Sequence, residues 1–328
     1  MRSNARLEQA FREAERRRQC LRPGDRGLRR ALTQRRETDD VLHIMTGLYA
    51  RPSYWSTLSN HERIMHVLRA ECASHPRWVL GHVSAATVWR LTDSVFLNRN
   101  VHWATDLTHA STDRNHYVFH ALPIRPVTVV EGMRVTDLHQ TLFDCARSLQ
   151  LPDALAVLET AMRSGKTDKA QFQAFLETRR GYKGVEKARQ ACVCANGLSE
   201  NGGESITLGY LVLWGYAVPE QQVPCVDPIT GARRRVDFLW RRDDGKIIIG
   251  ELDGRGKYVD PAMTAGRDIE SIVFEEKDRE SNLALDGSVV FVRWTFDQLV
   301  RQPELVRRKL DMAGVPRAAD RKRGPHAP

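Results

Sequence analysis

Residues 233–258, RRRVDFLWRRDDGKIIIGELDGRGKY, restrict the fold of this chain more than any other stretch. VDFLW and KIIIGEL are rich in β-branched and aromatic residues, and Asp243-Asp244-Gly245 between them is turn chemistry, so the segment reads as a β-hairpin. With those three residues as the loop and Gly245 left-handed, Arg242 faces Lys246 and Asp237 falls opposite Glu251. Residues directly opposite on an antiparallel pair share a face, their Cα atoms roughly 4.5–5.5 Å apart. Two carboxylates held there repel unless a proton or a cation lies between them. A hard divalent cation with oxygen ligands is the natural occupant. A loop longer or shorter by one residue would turn the two acids to opposite faces.

Further chemistry flanks the hairpin. Upstream, GGES places Glu204 in the first turn of a helix, where the helix dipole alone favours a carboxylate and where a third acidic ligand would also stand. Downstream come Glu276-Lys277-Asp278-Arg279 and the strand VVFVRW. An acidic residue opening a hairpin, followed by a second in the next strand, resembles the core of the PD-(D/E)XK nucleases. The segment Glu251-Leu252-Asp253-Gly254, with Lys257-Tyr258 after it, is similar to the DUF559 group, relatives of very-short-patch repair endonucleases. The resemblance covers residues 199–313. It implies a restriction-endonuclease-like fold with Glu204, Asp237 and Glu251 as ligands of Mg²⁺ or Mn²⁺. It also implies catalytic roles for Asp237, Glu251, Asp253, Lys257 and Lys277. Asp253 stands where that family usually has Lys, so the role of the Lys passes to Lys257 or Lys277, or is absent. Thr207 stands where the family often has Arg.

A chain of 328 residues implies two or three domains, and an apolar fraction of 41% is enough to pack their cores. The charged N-terminus and the lack of a long apolar run imply a cytoplasmic protein with no membrane partner. Cys20, Cys72, Cys145, Cys192, Cys194 and Cys225 lack a zinc spacing and read as free thiols. A net charge of +9 makes polyanions, DNA first and other nucleic acid second, the expected partners.

That charge is concentrated at the N-terminus. Residues 4–19 and 26–36 read as two helices, the second carrying Arg26, Arg29, Arg30, Arg35 and Arg36, and 41–50 reads as a small hairpin. Two short helices and a hairpin ending Gly-Leu-Tyr-Ala suggest a winged helix-turn-helix. With GHVSAATVWRL further on, the order resembles the N-terminal part of abortive-infection antitoxins. That resemblance implies DNA contact through the arginines of the second helix, and a cognate toxin as a further partner. A charged helical hairpin capping the next domain reads equally well. Strands are expected at 78–81, 101–105, 117–121, 126–130 and 133–136, with Ser84 capping a helix. His102, His109, His116, His120 and His139 lie among them without a zinc spacing or an accompanying Cys, and read as surface or core histidines. Helices follow from Thr136 to about Gly197, and the Gly-rich stretch 196–203 reads as the most flexible boundary.

The expected architecture is therefore α/β (α+β): a winged-helix-like segment (1–58), a small mixed α/β region (59–135), a helical connector (136–198), a PD-(D/E)XK-like domain (199–313) and a disordered basic tail (314–328). The expected function is a Mg²⁺-dependent endonuclease with an N-terminal DNA-binding region. The alternative is a non-catalytic DNA-binding regulator or antitoxin.

Overall fold

A computed structural model describes residues 5–36, 40–105, 115–122, 127–253, 277–278, 280–285 and 287–318. Lys257, His109, Glu276, Arg279, most of the helix expected at 261–284 and the tail beyond 318 lie outside the described residues. The chain divides into two compact units, Met1–Ser148 with Ala174–Ala188, and Leu149–Gln173 with Arg189–Pro328. The helical stretch expected to connect two domains is thus shared between them. Among the described residues no helix is long and apolar enough to cross a membrane, and all six cysteines are free thiols.

The first unit opens with α1 (Ala5–Arg16) and α2 (Arg26–Arg36), which bury Leu7, Phe11 and Leu32 together with Leu21 and Val41. Asp25 starts α2 by accepting the Leu28 N–H at 3.0 Å. β1 (Leu42–Met45) and β2 (Leu48–Ala50) then pair antiparallel, and Gly47 takes the left-handed turn at φ +75°. Short α3 (Pro52–Trp55) leads to α4 (Asn60–Ser74), which begins with a reciprocal Ser59/Glu62 capping box.

A five-stranded mixed sheet follows, built from β3 (Val79–Leu80), β4 (Val101–Thr105), β5 (Tyr117–Ala121), β6 (Val127–Val130) and β7 (Met133–Thr136) in the order β5-β4-β3-β7-β6. Its core gathers Met65, Leu68, Leu80, Trp103 and Val135. The helix after β3, α5 (His82–Val88), starts on Gly81 rather than on the expected Ser84 cap. Ser84 is fully buried and its Oγ accepts the His102 N–H at 3.0 Å, because a hydroxyl with an unpaired strand amide beside it serves better there than at a cap. α6 (Leu138–Ser148) begins where Asp137 accepts the Gln140 N–H at 2.7 Å. α8 (Lys169–Glu177) and α9 (Val185–Cys194) contribute residues to both units.

In the second unit, α7 (Leu151–Arg163), with Pro152 in its first turn, packs on α10 (Gly202–Leu213). A Cβ at Gly209 would lie 2.3 Å from the Pro152 Cα, so only glycine permits this approach. The stretch before α10, expected to be the most flexible boundary, is pinned. The buried Glu159 carboxylate accepts the N–H groups of Asn196, Gly197 and Ser199 at 2.6, 3.1 and 3.2 Å.

Four strands complete the unit: β8 (Glu220–Val226), β9 (Arg233–Arg241), β10 (Ile247–Asp253) and β11 (Val289–Thr295), in the order β11-β10-β9-β8. β8, β9 and β10 form an antiparallel meander, and β11 lies parallel to β10. Phe238, Trp240, Ile248, Leu252 and Trp294 form one core, and Val236, Leu239 and Ile249 another. Gly250 lets the rings of Trp294 and Trp240 close over the strand, since a Cβ there would meet them at 2.7 and 3.0 Å. α11 (Phe296–Arg301) and α12 (Pro303–Met312) finish the fold. The first residues of the expected disordered tail are instead anchored. Val315 is buried, Arg317 donates to the Trp214 carbonyl at 2.8 Å, and its guanidinium lies 4.1 Å from the Tyr216 ring centroid. A cation stacked on an aromatic face overrides the reading of this stretch from charge alone.

Candidate active site

The β9–β10 hairpin has the expected register. Arg241 pairs with Ile247, Trp240 with Ile248, Leu239 with Ile249 and Phe238 with Gly250. Gly245 is left-handed at φ +84°, and the Arg242 N–H reaches the Lys246 carbonyl at 2.9 Å. The paired ladder ends at Phe238 and Gly250, one residue short of Asp237 and Glu251, and beyond it a side chain replaces the backbone. Asp237 Oδ2 accepts the Leu252 N–H at 2.9 Å. Gln222 of β8 lies opposite Asp237, with Gln221 paired to Phe238 and Val223 to Val236 on either side. Its left-handed backbone, φ +53°, is strained for a residue with a Cβ. Its amide donates to Glu204 Oε2 at 3.1 Å and to Asp237 Oδ1 at 3.4 Å, joining two of the three expected ligands.

Glu204 stands in the first turn of α10 with its side chain turned back. Asn201 caps the helix, accepting the Glu204 N–H at 3.1 Å and donating its amide to Glu204 Oε1 at 2.5 Å, while Oε2 accepts the Glu200 N–H at 2.7 Å. Glu204 is only 4% exposed. Burial first, and then the charge of Asp237, push its carboxyl up to about 7, against the Glu200 N–H and the Gln222 amide, which favour the ionised form. A buried acid holding a proton near neutrality beside a second carboxylate is the electrostatic situation a cation relieves.

Glu251 and Asp253 continue along β10 toward a different partner. Arg293 of β11, in register with Glu251, donates its Nε to both Asp253 oxygens at 3.0 and 3.2 Å. The same guanidinium lies 3.6 Å from Glu251 and hydrogen-bonds Glu280. Burial opposes its charge, but the hydrogen bond to Asp253 and the charges of Asp253, Glu251 and Glu280 together raise its pKa. Lys277 is helical and exposed. The expected residues thus fall into two groups, Glu204 with Asp237 around Gln222, and Glu251 with Asp253 around Arg293.

Gln222 and Arg293 went unread in the sequence. Arg293 did carry a signal, since in VVFVRW it falls in phase with Val289 and Phe291, and a charge in the apolar phase of a strand calls for a partner. Gln222 carried none, because its place depends on the β8–β9 register.

In the first unit, Arg26, Arg29, Arg30 and Arg36 are exposed on α2, which has no acid in its first turn. Arg35 differs, because it lies 3.7 Å from Glu8 of α1 with its side chain 15% exposed. Among the described residues, the one group of three His, Cys, Asp or Glu whose ligand atoms all lie within 4.8 Å is His82, His102 and His120. Read as surface or core histidines, His102 and His120 instead meet each other and His82, which is not among the histidines read that way.

No family model matches the chain. It is 32% identical over 111 residues to two uncharacterized Mycobacterium tuberculosis proteins, MT2308 and Rv2248, a match covering 34% of this chain and 41% of each relative. The chain therefore aligns with about two fifths of the length of these relatives.

Proposed function

We propose that residues 199–313 form a PD-(D/E)XK-type nuclease domain and that the protein is a metal-dependent nucleic-acid phosphodiesterase, with DNA as the foremost substrate. The observation that carries this reading is the Glu204–Gln222–Asp237 linkage at the mouth of a hairpin whose paired ladder ends one residue short of Asp237 and Glu251. The order of elements, a helix, a three-stranded antiparallel meander and a parallel fourth strand, also agrees with the PD-(D/E)XK resemblance.

Glu204 and Asp237, joined through Gln222, offer hard carboxylate oxygens suited to Mg²⁺ or Mn²⁺, and Glu251 would have to leave Arg293 to join them. The ion, when bound, supplies Lewis-acid polarisation of the scissile phosphate. The Leu252 N–H fixes Asp237 through Oδ2 and leaves Oδ1 turned to the Gln222 amide, which orients both acids. Without the ion, Glu204 keeps its proton up to about 7, and ion binding would displace it. Asp253 orients Arg293 and keeps its charge beside Glu251. Lys257 or Lys277 would stabilise charge on the phosphate. The exposed arginines of α2 supply a phosphate-binding face in a winged-helix-like segment.

A second reading has its own support, because Arg293 already neutralises Glu251 and Asp253. On that reading the protein is a DNA-binding regulator or antitoxin that does not cut, with a toxin as a further partner. A panel of duplex, mismatched, nicked and single-stranded DNA and of RNA, incubated with Mg²⁺, Mn²⁺ or chelator, separates the two. Metal-dependent cleavage of any member supports the nuclease, and DNA bound but left intact under every metal supports the regulator.

A further inference from the structure

His82, His102 and His120 come from three separate elements. β4 and β5 run parallel with His102 opposite Val118 and Ala104 opposite His120, so the two histidines sit diagonally on one face of the sheet. β3 ends against β4, where the Gly81 N–H donates to the His102 carbonyl at 2.9 Å, and a Cβ at Gly81 would lie 3.3 Å from that of Ala104. The chain turns there through His82, whose left-handed φ of +51° brings it over the other two. The three ring centroids form a near-equilateral triangle with sides of 4.9, 4.6 and 5.1 Å.

A point equidistant from those centroids lies roughly 2.8 Å from each, and an imidazole-bound ion with a metal–nitrogen bond of about 2.0–2.1 Å lies roughly 3.2 Å from its ring centroid. The ring planes lie within 15° of one another, and an ion roughly 1.5 Å above the plane of the triangle satisfies both distances. The facing nitrogens of His102 and His120, Nδ1 and Nε2, share a hydrogen bond at 2.8 Å, near the roughly 3.3 Å that separates two nitrogens on a tetrahedral ion, so an ion bound here replaces that shared proton.

His82 supplies an independent pointer. The Ser148 hydroxyl donates to the Asp144 carbonyl, so at its 2.5 Å contact with His82 Nε2 it accepts, and Nε2 carries the proton. That assignment leaves Nδ1 as a bare lone pair, and His82 Nδ1 is buried without a hydrogen-bond partner on a residue only 5% exposed. Metal-ligating histidines commonly donate the other ring N–H to an oxygen in this way. Arg147 is the near positive charge, and Asp144 pairs with it at 2.8 Å.

We propose that His82, His102 and His120 form a binding site for a divalent transition-metal cation of the Zn²⁺ class, with the fourth coordination position open to water or a small anion. An all-imidazole set suits Zn²⁺, Co²⁺ or Ni²⁺ and disfavours Mg²⁺, so this site is chemically distinct from the carboxylate site. Three protein ligands with one open position is the pattern of reactive rather than purely structural zinc centres.

The test titrates the full, chelator-stripped chain with Co²⁺ and follows its visible ligand-field absorption. The site gives a band that saturates at one equivalent, is abolished by Zn²⁺ and is indifferent to excess Mg²⁺. His102→Gln with His120→Gln removes the band, and Ser148→Ala, which leaves all three ligands in place, weakens binding about 10-fold. Circular dichroism in chelator checks the fold of each variant. In the wild type, ¹⁵N shifts of the three imidazoles on Zn²⁺ addition give a reading that needs no variant. A wild type without a saturable band, a band unchanged in the double variant, a thiolate charge-transfer band or unmoved imidazole resonances would each overturn the proposal.

Discussion

The carboxylate site of one unit and the histidine site of the other handle buried polar atoms in opposite ways. Around Asp237 and Glu251 the fold supplies a partner for each acid: a backbone N–H, the Gln222 amide, the Arg293 guanidinium, and a proton for Glu204. Around His82 it supplies a partner for one ring nitrogen and leaves the other bare. A cation must compete for the acids with groups already present, whereas at the imidazoles it replaces the proton shared by His102 and His120 and meets the bare Nδ1 of His82. The two sites should therefore select hard and borderline ions respectively.

The largest expected effect that would break this contrast is at Arg293. Arg293→Ala strands Glu251, Asp253 and Glu280 around a half-buried gap and should cost about 3–5 kcal/mol in a denaturant titration, with Mg²⁺ or Mn²⁺ restoring part of it. A variant as stable as wild type would mean that Arg293 does not neutralise the acids.

Next in size is the pH dependence, whose sign differs between the sites. In chelator, Glu204 titrates at about 7 folded against its ordinary 4.5, so the stability it contributes is full below pH 4.5 and lost as pH rises through 7. His102, at about 3 against 6.5, contributes stability that is full above pH 6.5 and lost as pH falls toward 3. Each is worth on the order of 3–5 kcal/mol. Melts across pH should show Glu204→Gln removing the loss at the upper end and His102→Gln the loss at the lower end. Curves parallel to wild type would assign the titrations elsewhere.

Smaller still is a difference between two changes at Asp237. The sequence suggests that removing one of two repelling acids stabilises the metal-free protein. The hydrogen bond to the Leu252 N–H reverses that expectation. Asp237→Ala leaves this donor unsatisfied at about 1–3 kcal/mol, while Asp237→Asn keeps an oxygen for it, gives up only the longer Gln222 contact and should lose less. Equal losses in both variants would deny the hydrogen bond its role. The smallest effect lies on α2. Arg29→Ala with Arg30→Ala should lower the salt slope of DNA binding by about 2, and Arg35→Ala, already paired with Glu8, should change it less. Equal slopes in all three proteins would show that α2 is not the contact face.

What the sequence revealed divides along the same line. The β9–β10 register could be counted from one loop, because Asp243-Asp244-Gly245 fixes the turn and period-two alternation does the rest. Glu204 could be found because it follows the glycines that open α10. Gln222 could not, since its meeting with Asp237 depends on a second register and a left-handed residue. The histidine group could not either. Spacing motifs detect ligands on one helix or loop, and these three sit at the start of α5 and on two parallel strands brought together by the sheet.

The most direct test of the central claim is a cleavage time course comparing wild type with Asp237→Asn at equal concentration, in Mg²⁺ and in Mn²⁺, on whichever nucleic acid the panel identifies. Wild type should cut with either ion and stop in chelator, and Asp237→Asn, folded and with its Leu252 hydrogen bond kept, should fall by at least about 100-fold. A wild type that cuts nothing with either ion, or an Asp237→Asn variant that cuts as fast, would contradict the account.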